Sequence, residues 1–175
     1  MGRDQVDRIV EAWRRERPDL DTDPMQVLSR VSRLAHHLDK RRREAFAQAD
    51  GAGLELWEFD VLAALRRAGP PYELSPSELM AETLVTSGTM TTRVEKLAAR
   101  GLVERLRRET GDRRGVRVVL TPEGRRAADT ALEALLEHER ELLAGLTRAD
   151  QEQLAALLRI LVRPFDGAVE QPDRR

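Results

Sequence analysis

The chain has 175 residues, of which 41% are hydrophobic, 35% are charged and only 3% are aromatic. This length is enough for one domain of ordinary size with a real core, and the composition favours helices. Cysteine is absent, which excludes disulfides, thiol catalysis and a cysteine-based zinc site. No apolar run approaches the ~18 residues of a membrane span, and the first ten residues show no signal-peptide core. We therefore expect a soluble cytoplasmic protein with no membrane partner.

The formal net charge of −1 conceals an uneven distribution along the chain. Residues 1–85 have a net charge of −3 and residues 127–175 a net charge of −4, whereas residues 86–126 hold 11 basic and 5 acidic side chains. A basic centre between acidic ends is typical of a local phosphate-binding surface. Chance clustering on a solvated surface would give the same pattern.

The spacing of apolar residues predicts five helices before residue 101. The first ends before Pro18, the second begins at Pro24 and stops in the segment 50–53, and the third covers about residues 54–68. Ser75 is predicted to cap a short fourth helix in a capping box with Glu78. The fifth covers about residues 86–100, with Gly101 in the position that follows a helix end.

The hydrophobic period changes after Gly101. Residues 102–106 and 116–120 alternate as β-strands do, and the polar segment between them predicts a hairpin with a basic tip. Thr121 is predicted to cap a long helix to about residue 144, and Thr147 a last one. We expect residues 169–175 to be disordered.

This order of elements predicts a mainly α protein with a winged helix-turn-helix and long N- and C-terminal dimerisation helices. Residues 1–50 would contribute to dimerisation, residues 54–121 would form the DNA-binding region, and residues 122–168 would form further dimerisation helices. The terminal helices have leucine stripes that a small winged-helix core cannot cover, which favours a homodimer.

The fifth helix is expected to enter the major groove of double-stranded DNA, and the hairpin to reach the adjacent backbone or minor groove. At 100° per residue, Met90, Val94, Leu97 and Ala98 form a buried side. Short polar residues and one cation lie opposite or beside it and are expected to contact DNA: Ser87, Gly88, Thr89, Thr91, Thr92 and Lys96. The hairpin adds four arginines and an aspartate that can orient a guanidinium: Arg107, Arg108, Asp112, Arg113 and Arg114. An ordinary amphipathic helix and a solvated loop are the alternatives.

Two segments resemble the MarR (multiple antibiotic resistance regulator) family. Asp112-Arg113-Arg114 with Leu120-Thr121-Pro122-Glu123-Gly124 is similar to the family's D-x-R…L-T-x-x-G signature. Residues 86–94, with Leu97 and the segment 100–103, resemble its recognition helix and the start of its wing. The resemblance implies an obligate dimer that represses a nearby promoter and is released by a small ligand. A two-fold dimer predicts a pseudo-palindromic operator with half-sites about one helical turn apart.

The N-terminal segment resembles the urate-responsive branch of that family, through Trp13, residues 17–21 and Pro24-Met25. That branch has an extra N-terminal helix and a ligand site whose matching positions are Trp13, Asp60 and Arg93. The resemblance implies a urate-like or phenolic anion as effector, and it places part of the ligand site in residues 1–50.

The residues at these positions suit such a site. Asp60 has apolar neighbours at helical spacing, so its carboxylate needs a partner. Arg93 lies about 60° from the centre of the buried side of the fifth helix, so we expect it to face inward and contact Asp60. A planar anion that stacks on Trp13 and pairs with Arg93 would then displace the recognition helix. Simple packing of Trp13, a structural ion pair at Asp60 and a phosphate contact at Arg93 remain alternatives.

No other feature predicts chemistry. No catalytic residue or cofactor is predicted, and His36, His37 and His138 do not have the spacing of a metal site, so we expect no metal and no enzyme. A helical interaction module that uses the winged helix to bind another protein is the alternative function.

Overall fold

The computed structural model describes residues 2–48, 53–108 and 115–166. Its elements, in chain order, are α1 (Gln5–Glu16), α2 (Asp23–Gln48), α3 (Leu56–Arg67), β1 (Glu73–Leu74), α4 (Pro76–Thr83), α5 (Ser87–Ala99), β2 (Val103–Arg108), β3 (Gly115–Leu120), α6 (Pro122–Leu143) and α7 (Arg148–Asp166). The chain divides into two compact units, Met1–Glu44 and Ala45–Arg175, with the boundary inside α2. The predicted fold class, mainly helical with a winged helix-turn-helix, is confirmed.

The N-terminal unit consists of α1 and most of α2. Asp4 caps α1 by accepting hydrogen bonds from the backbone N–H groups of Val6 and Asp7, at 2.7 and 3.0 Å. Arg30 of α2 forms salt bridges with Asp4 and Asp7, at 2.9 and 2.7 Å. These contacts hold the start of α1 against α2.

The C-terminal unit has one hydrophobic core, built from the buried sides of its helices and the wing. Leu62 and Leu65 of α3, Leu97 of α5 and Val118 of β3 are fully buried in it. Phe46, at the end of α2, packs on Phe59 with ring centroids 4.6 Å apart. Burial of this apolar surface fixes the helix-turn-helix against the wing.

Local capping signals determine where the helices begin. Ser75 and Glu78 form the predicted capping box, and Thr121 accepts the backbone N–H of Gly124 at 2.9 Å. Thr147 likewise accepts the backbone N–H of Asp150 at 3.2 Å. Gly101 follows α5 with a φ of +70°, the left-handed conformation that favours glycine.

The wing is part of a three-stranded antiparallel sheet with the order β1-β3-β2. Val103 pairs with Leu120 and Arg108 with Gly115, so the hairpin strands extend further toward the tip than the sequence indicates. The third strand, β1, was not predicted, because two residues show no periodicity. It pairs with Val118 and Val119, which joins the segment before α4 to the wing.

Gly124 lies in the first turn of α6, where the chain passes very close to another backbone segment. A Cβ atom at this position would lie 1.9 Å from the carbonyl oxygen of Leu102 and 2.9 Å from a methyl carbon of Leu120. Only glycine fits there, which gives the glycine of the L-T-x-x-G signature a steric reason. The contact sets α6 against the base of the wing.

Within the described ranges, none of the helices combines the length and the apolar character needed to cross a membrane.

Candidate DNA-binding site

The recognition helix α5 has one buried and one exposed side. Met90, Val94 and Leu97 are buried, which anchors the helix in the core. The six residues predicted to face DNA are all exposed: Ser87, Gly88, Thr89, Thr91, Thr92 and Lys96. We call this set the recognition face. The division of α5 into two sides is confirmed, and contact of its exposed side with DNA stays a prediction.

The turn between α4 and α5 presents the recognition helix at the surface. Leu84 ends α4 in the left-handed conformation, with a φ of +53°, and its side chain is exposed. Thr86 is the N-cap residue of α5. Its side chain makes no hydrogen bond to the helix backbone there, and its hydroxyl group lies 3.0 Å from that of Thr89. The first turn of α5 therefore presents small hydroxyl groups that can donate to phosphates or base edges.

An ion pair between a buried glutamate and a partly exposed arginine joins α3 to the end of the recognition helix. Glu58 is 3% exposed, and its carboxylate accepts hydrogen bonds from the guanidinium of Arg100 and from the backbone N–H of Glu55. Arg100 is the residue that caps the C-terminal end of α5. The pair fixes the direction of α5 relative to the core.

Arg93 lies beside the recognition face and contacts a tryptophan of α3. Its guanidinium carbon is 5.6 Å from the centroid of the Trp57 ring, which is a cation–π contact. A cleft of about 410 Å³ opens there, and we call it the Trp57 cleft. Its lining combines the tryptophan, three members of the recognition face with short side chains or none, and two cations: Trp57, Gly88, Thr89, Thr92, Arg93 and Lys96.

The described part of the wing is tied to both helices of the helix-turn-helix. Arg105 of β2 lies 3.8 Å from the carboxylate of Glu95 on α5. Arg117 of β3 donates a hydrogen bond to Glu78 of α4 at 2.8 Å. Hydrogen bonds from the Ser75 backbone and hydroxyl, and then the charge of Arg117, lower the pKa of Glu78, although partial burial opposes them. The wing therefore has one ionic contact with each of the two helices.

The predicted DNA contacts of the wing are only partly within the described residues. Arg107 lies exposed on β2. Arg108 is the last residue of β2, but its side chain is outside the described part, as are Asp112, Arg113 and Arg114. Their roles stay predictions.

The three predicted ligand residues lie on three helices. Trp13 is on α1 in the N-terminal unit and is 47% exposed. Asp60 and Arg93, on α3 and α5 of the C-terminal unit, are half-buried. Asp60 lies one turn after Trp57 on the same side of α3. The structure brings Arg93 to Trp57, whose role sequence reasoning missed.

In the described ranges, no group of three histidines or carboxylates has the geometry to hold a metal ion. The main features of the C-terminal unit are the helix-turn-helix and the wing beside it. Together they define a winged-helix DNA-binding protein.

Comparisons with known proteins give the family. The MarR family model matches residues 52–115. The chain is 38% identical over 154 residues to the HTH-type transcriptional regulator PecS of Dickeya dadantii, with 88% of this chain and 90% of the relative covered. It is 32% identical to the HTH-type transcriptional repressor NicR of Pseudomonas putida, with 85% of this chain and 92% of the relative covered.

A solved structure of a DNA-binding regulator is also similar to this chain. BpsR of Bordetella bronchiseptica, whose DNA binding is regulated by 6-hydroxynicotinic acid, has a TM-score of 0.57 and 28% identity, with 75% of this chain and 93% of that chain covered. The protein belongs to the MarR family. It is therefore a DNA-binding transcriptional regulator and not an enzyme.

Proposed function

We propose that this protein is a dimeric repressor that binds a pseudo-palindromic operator through α5 and the wing, and that a small planar anion releases it. The recognition face carries this proposal. It is exposed, uncharged except for Lys96, and made of residues small enough for the helix to approach base edges closely. Repression is supported by the relative NicR, which is a repressor. Since its target is DNA, we place the protein in the cytoplasm.

The proposal of a dimer is supported by exposed apolar side chains in each unit. In the C-terminal unit, α7 exposes a row of large apolar residues: Leu154, Leu157, Ile160, Leu161, Val162 and Phe165. In the N-terminal unit, Val27, Leu28, Val31 and Leu34 of α2 are exposed. Apolar stripes of this size need a partner surface, and a second copy of the chain provides the self-complementary one that a two-fold dimer requires.

The proposal of an anionic effector is supported by the relative BpsR, whose DNA binding responds to 6-hydroxynicotinic acid. We propose that Trp13, Asp60 and Arg93 contact the effector, on their match to the urate-responsive branch. A titration of operator binding with urate and with 6-hydroxynicotinate, on the wild type and on Arg93→Ala, tests this role. Equal responses of the two proteins would remove Arg93 from ligand recognition.

Salt-dependent binding to the DNA upstream of the gene tests the regulator itself. Because Lys96, Arg107 and the arginines of the wing tip would release counterions from phosphates, affinity should fall steeply between about 50 and 200 mM salt. Arg113→Ala with Arg114→Ala should weaken binding to most sequences alike. A changed sequence preference at unchanged affinity would contradict the phosphate and minor-groove assignment of these two arginines.

A further inference from the structure

We propose that the Trp57 cleft binds a backbone phosphate of the DNA, with Arg93 and Lys96 as its cations and Trp57 as the residue that positions Arg93. The inference rests on the proposed DNA-binding function and adds a site to it. It also gives Arg93 a role in the DNA complex beside the effector role proposed above.

Charge pairing in the C-terminal unit points to this cleft. Three arginines around the helix-turn-helix are paired with carboxylates, namely Arg67 with Glu82, Arg100 with Glu58 and Arg117 with Glu78. Among the described residues, by contrast, no carboxylate lies within salt-bridge distance of Arg93 or Lys96. Two cations that line one cleft, with no carboxylate partner among the described residues, repel each other, and an anion between them would relieve that repulsion.

The surroundings of the two cations suit a phosphate oxygen. Gly88, Thr89 and Thr92 of the recognition face also line the cleft. The one carboxylate next to Lys96 in the chain, that of Glu95, turns to Arg105 of the wing. The hydroxyl of Thr92 donates to the carbonyl oxygen of Gly88 at 3.2 Å, and that of Thr89 lies 3.0 Å from the hydroxyl of Thr86. The cleft thus offers two cations beside small side chains, and cations are the groups that most often bind DNA phosphates.

Trp57 determines where the charge of Arg93 lies. The long arginine side chain has many rotamers in solution, and the contact with the aromatic face of Trp57 restricts its guanidinium to the cleft. Without the ring, the guanidinium would be free to leave the cleft. Trp57 is therefore a positioning residue that acts on DNA through Arg93.

The test measures how the affinity for a duplex of mixed sequence, about 30 base pairs long, depends on salt. Each phosphate contact contributes about 0.9 to the slope of log affinity against log salt concentration. Arg93→Ala should reduce the slope by about that amount, Trp57→Leu by a large part of it, and Trp57→Phe by little, because phenylalanine keeps an aromatic face. The double variant Trp57→Leu with Arg93→Ala should lose no more slope than Arg93→Ala alone, because Trp57 acts only through Arg93.

Arg140→Ala is the matched control. Arg140 is an exposed arginine of the same unit, on α6 and paired with Glu137, and it lies outside the basic segment 86–126. Its loss should leave the slope unchanged. If Trp57→Leu lowers thermal stability with an unchanged slope, or if its effect adds fully to that of Arg93→Ala, the inference is wrong. Should Trp57→Leu fail to fold, Trp57→Met takes its place in the same cycle with Arg93→Ala, because methionine also removes the aromatic face but fills more of the space of the ring.

Two further outcomes separate this inference from the proposed function. If the wild type shows no salt-dependent binding to any duplex, the DNA-binding assignment fails as a whole. If the wild type binds with a steep slope and Arg93→Ala keeps that slope but no longer responds to an effector, only the phosphate cleft is refuted.

Discussion

Glu58 and Arg100 connect the first turn of α3 to the end of the recognition helix, across 42 positions in the sequence. The carboxylate is buried, whereas the arginine side chain keeps 39% of its surface exposed. The loss of one partner therefore has a different energetic cost from the loss of the other. Removal of the arginine leaves a buried carboxylate without its counter-charge, whereas removal of the glutamate charge leaves an arginine that water can reach.

We expect this asymmetry to appear in the free energy of unfolding. Arg100→Ala should lower it by about 2–3 kcal/mol, since an uncompensated buried charge is costly, and Glu58→Gln by about 1 kcal/mol. Urea unfolding of both variants measures the difference. Arg67→Ala, which removes an exposed salt bridge to Glu82, should cost less than 1 kcal/mol. An order in which Glu58→Gln is the most damaging of the three would contradict this account.

Gly88 lies on the recognition face with open space around the position of a side chain. No atom lies within 4 Å of the Cβ that alanine would add, and its φ is not in the left-handed range. Gly88→Ala should therefore keep or raise stability, by up to about 1 kcal/mol, because alanine favours the helix. It should also weaken operator binding about tenfold or more, because the methyl group separates α5 from the DNA.

The opposite signs of these two effects make the Gly88 experiment informative. Thermal unfolding and fluorescence anisotropy on the same samples measure both. A variant that is more stable and binds the operator as tightly as the wild type would show that Gly88 faces away from DNA.

Much of the fold could be predicted from the sequence, because local signals determine it. The caps at Ser75, Thr121 and Thr147 and the buried side of α5 depend on residues within one or two turns. The strand β1 could not be predicted, because its two residues are held by pairing with β3 and not by a pattern of their own.

In the candidate site, too, only the features that depend on local sequence signals could be predicted. The exposed positions of α5 follow from helical periodicity, and these are the residues that were predicted. Trp57 and Glu58 were missed, since their partners, Arg93 and Arg100, lie on another helix and have no fixed spacing from them in the sequence. That Glu58 is buried whereas Asp60, two positions later on α3, is only half-buried becomes visible only once the packing is known.

Gly124 gives a test of the signature glycine. A methyl group there would collide with the backbone of Leu102, which cannot move without displacing the base of the wing. Gly124→Ala should lower the free energy of unfolding by about 3 kcal/mol or more, because a clash with backbone atoms cannot be removed by a change of side-chain rotamer. Gly145→Ala is the control, since no atom lies within 4 Å of its added methyl group. Similar stability of the two variants would refute the steric explanation.

The proposed dimer can be tested on α7. Leu157 and Leu161 are 54% and 46% exposed and lie one turn apart on the same side of this helix. In a dimer that buries them, a charge at either position is desolvated, so Leu157→Asp and Leu161→Asp should halve the mass seen by light scattering. Operator affinity should fall about a hundredfold, because each half-site would then bind alone.

Arg159→Asp provides the control for this experiment. It puts an aspartate into the same helix, at an exposed position opposite the side that Leu157 and Leu161 share, and we expect it to leave mass and affinity unchanged. If all three aspartate variants keep the mass of the wild-type dimer, α7 does not form the interface, and the exposed apolar residues of α2 become the surface to test. If the wild type itself has the mass of one chain at micromolar concentration, the proposal of a dimeric repressor is wrong.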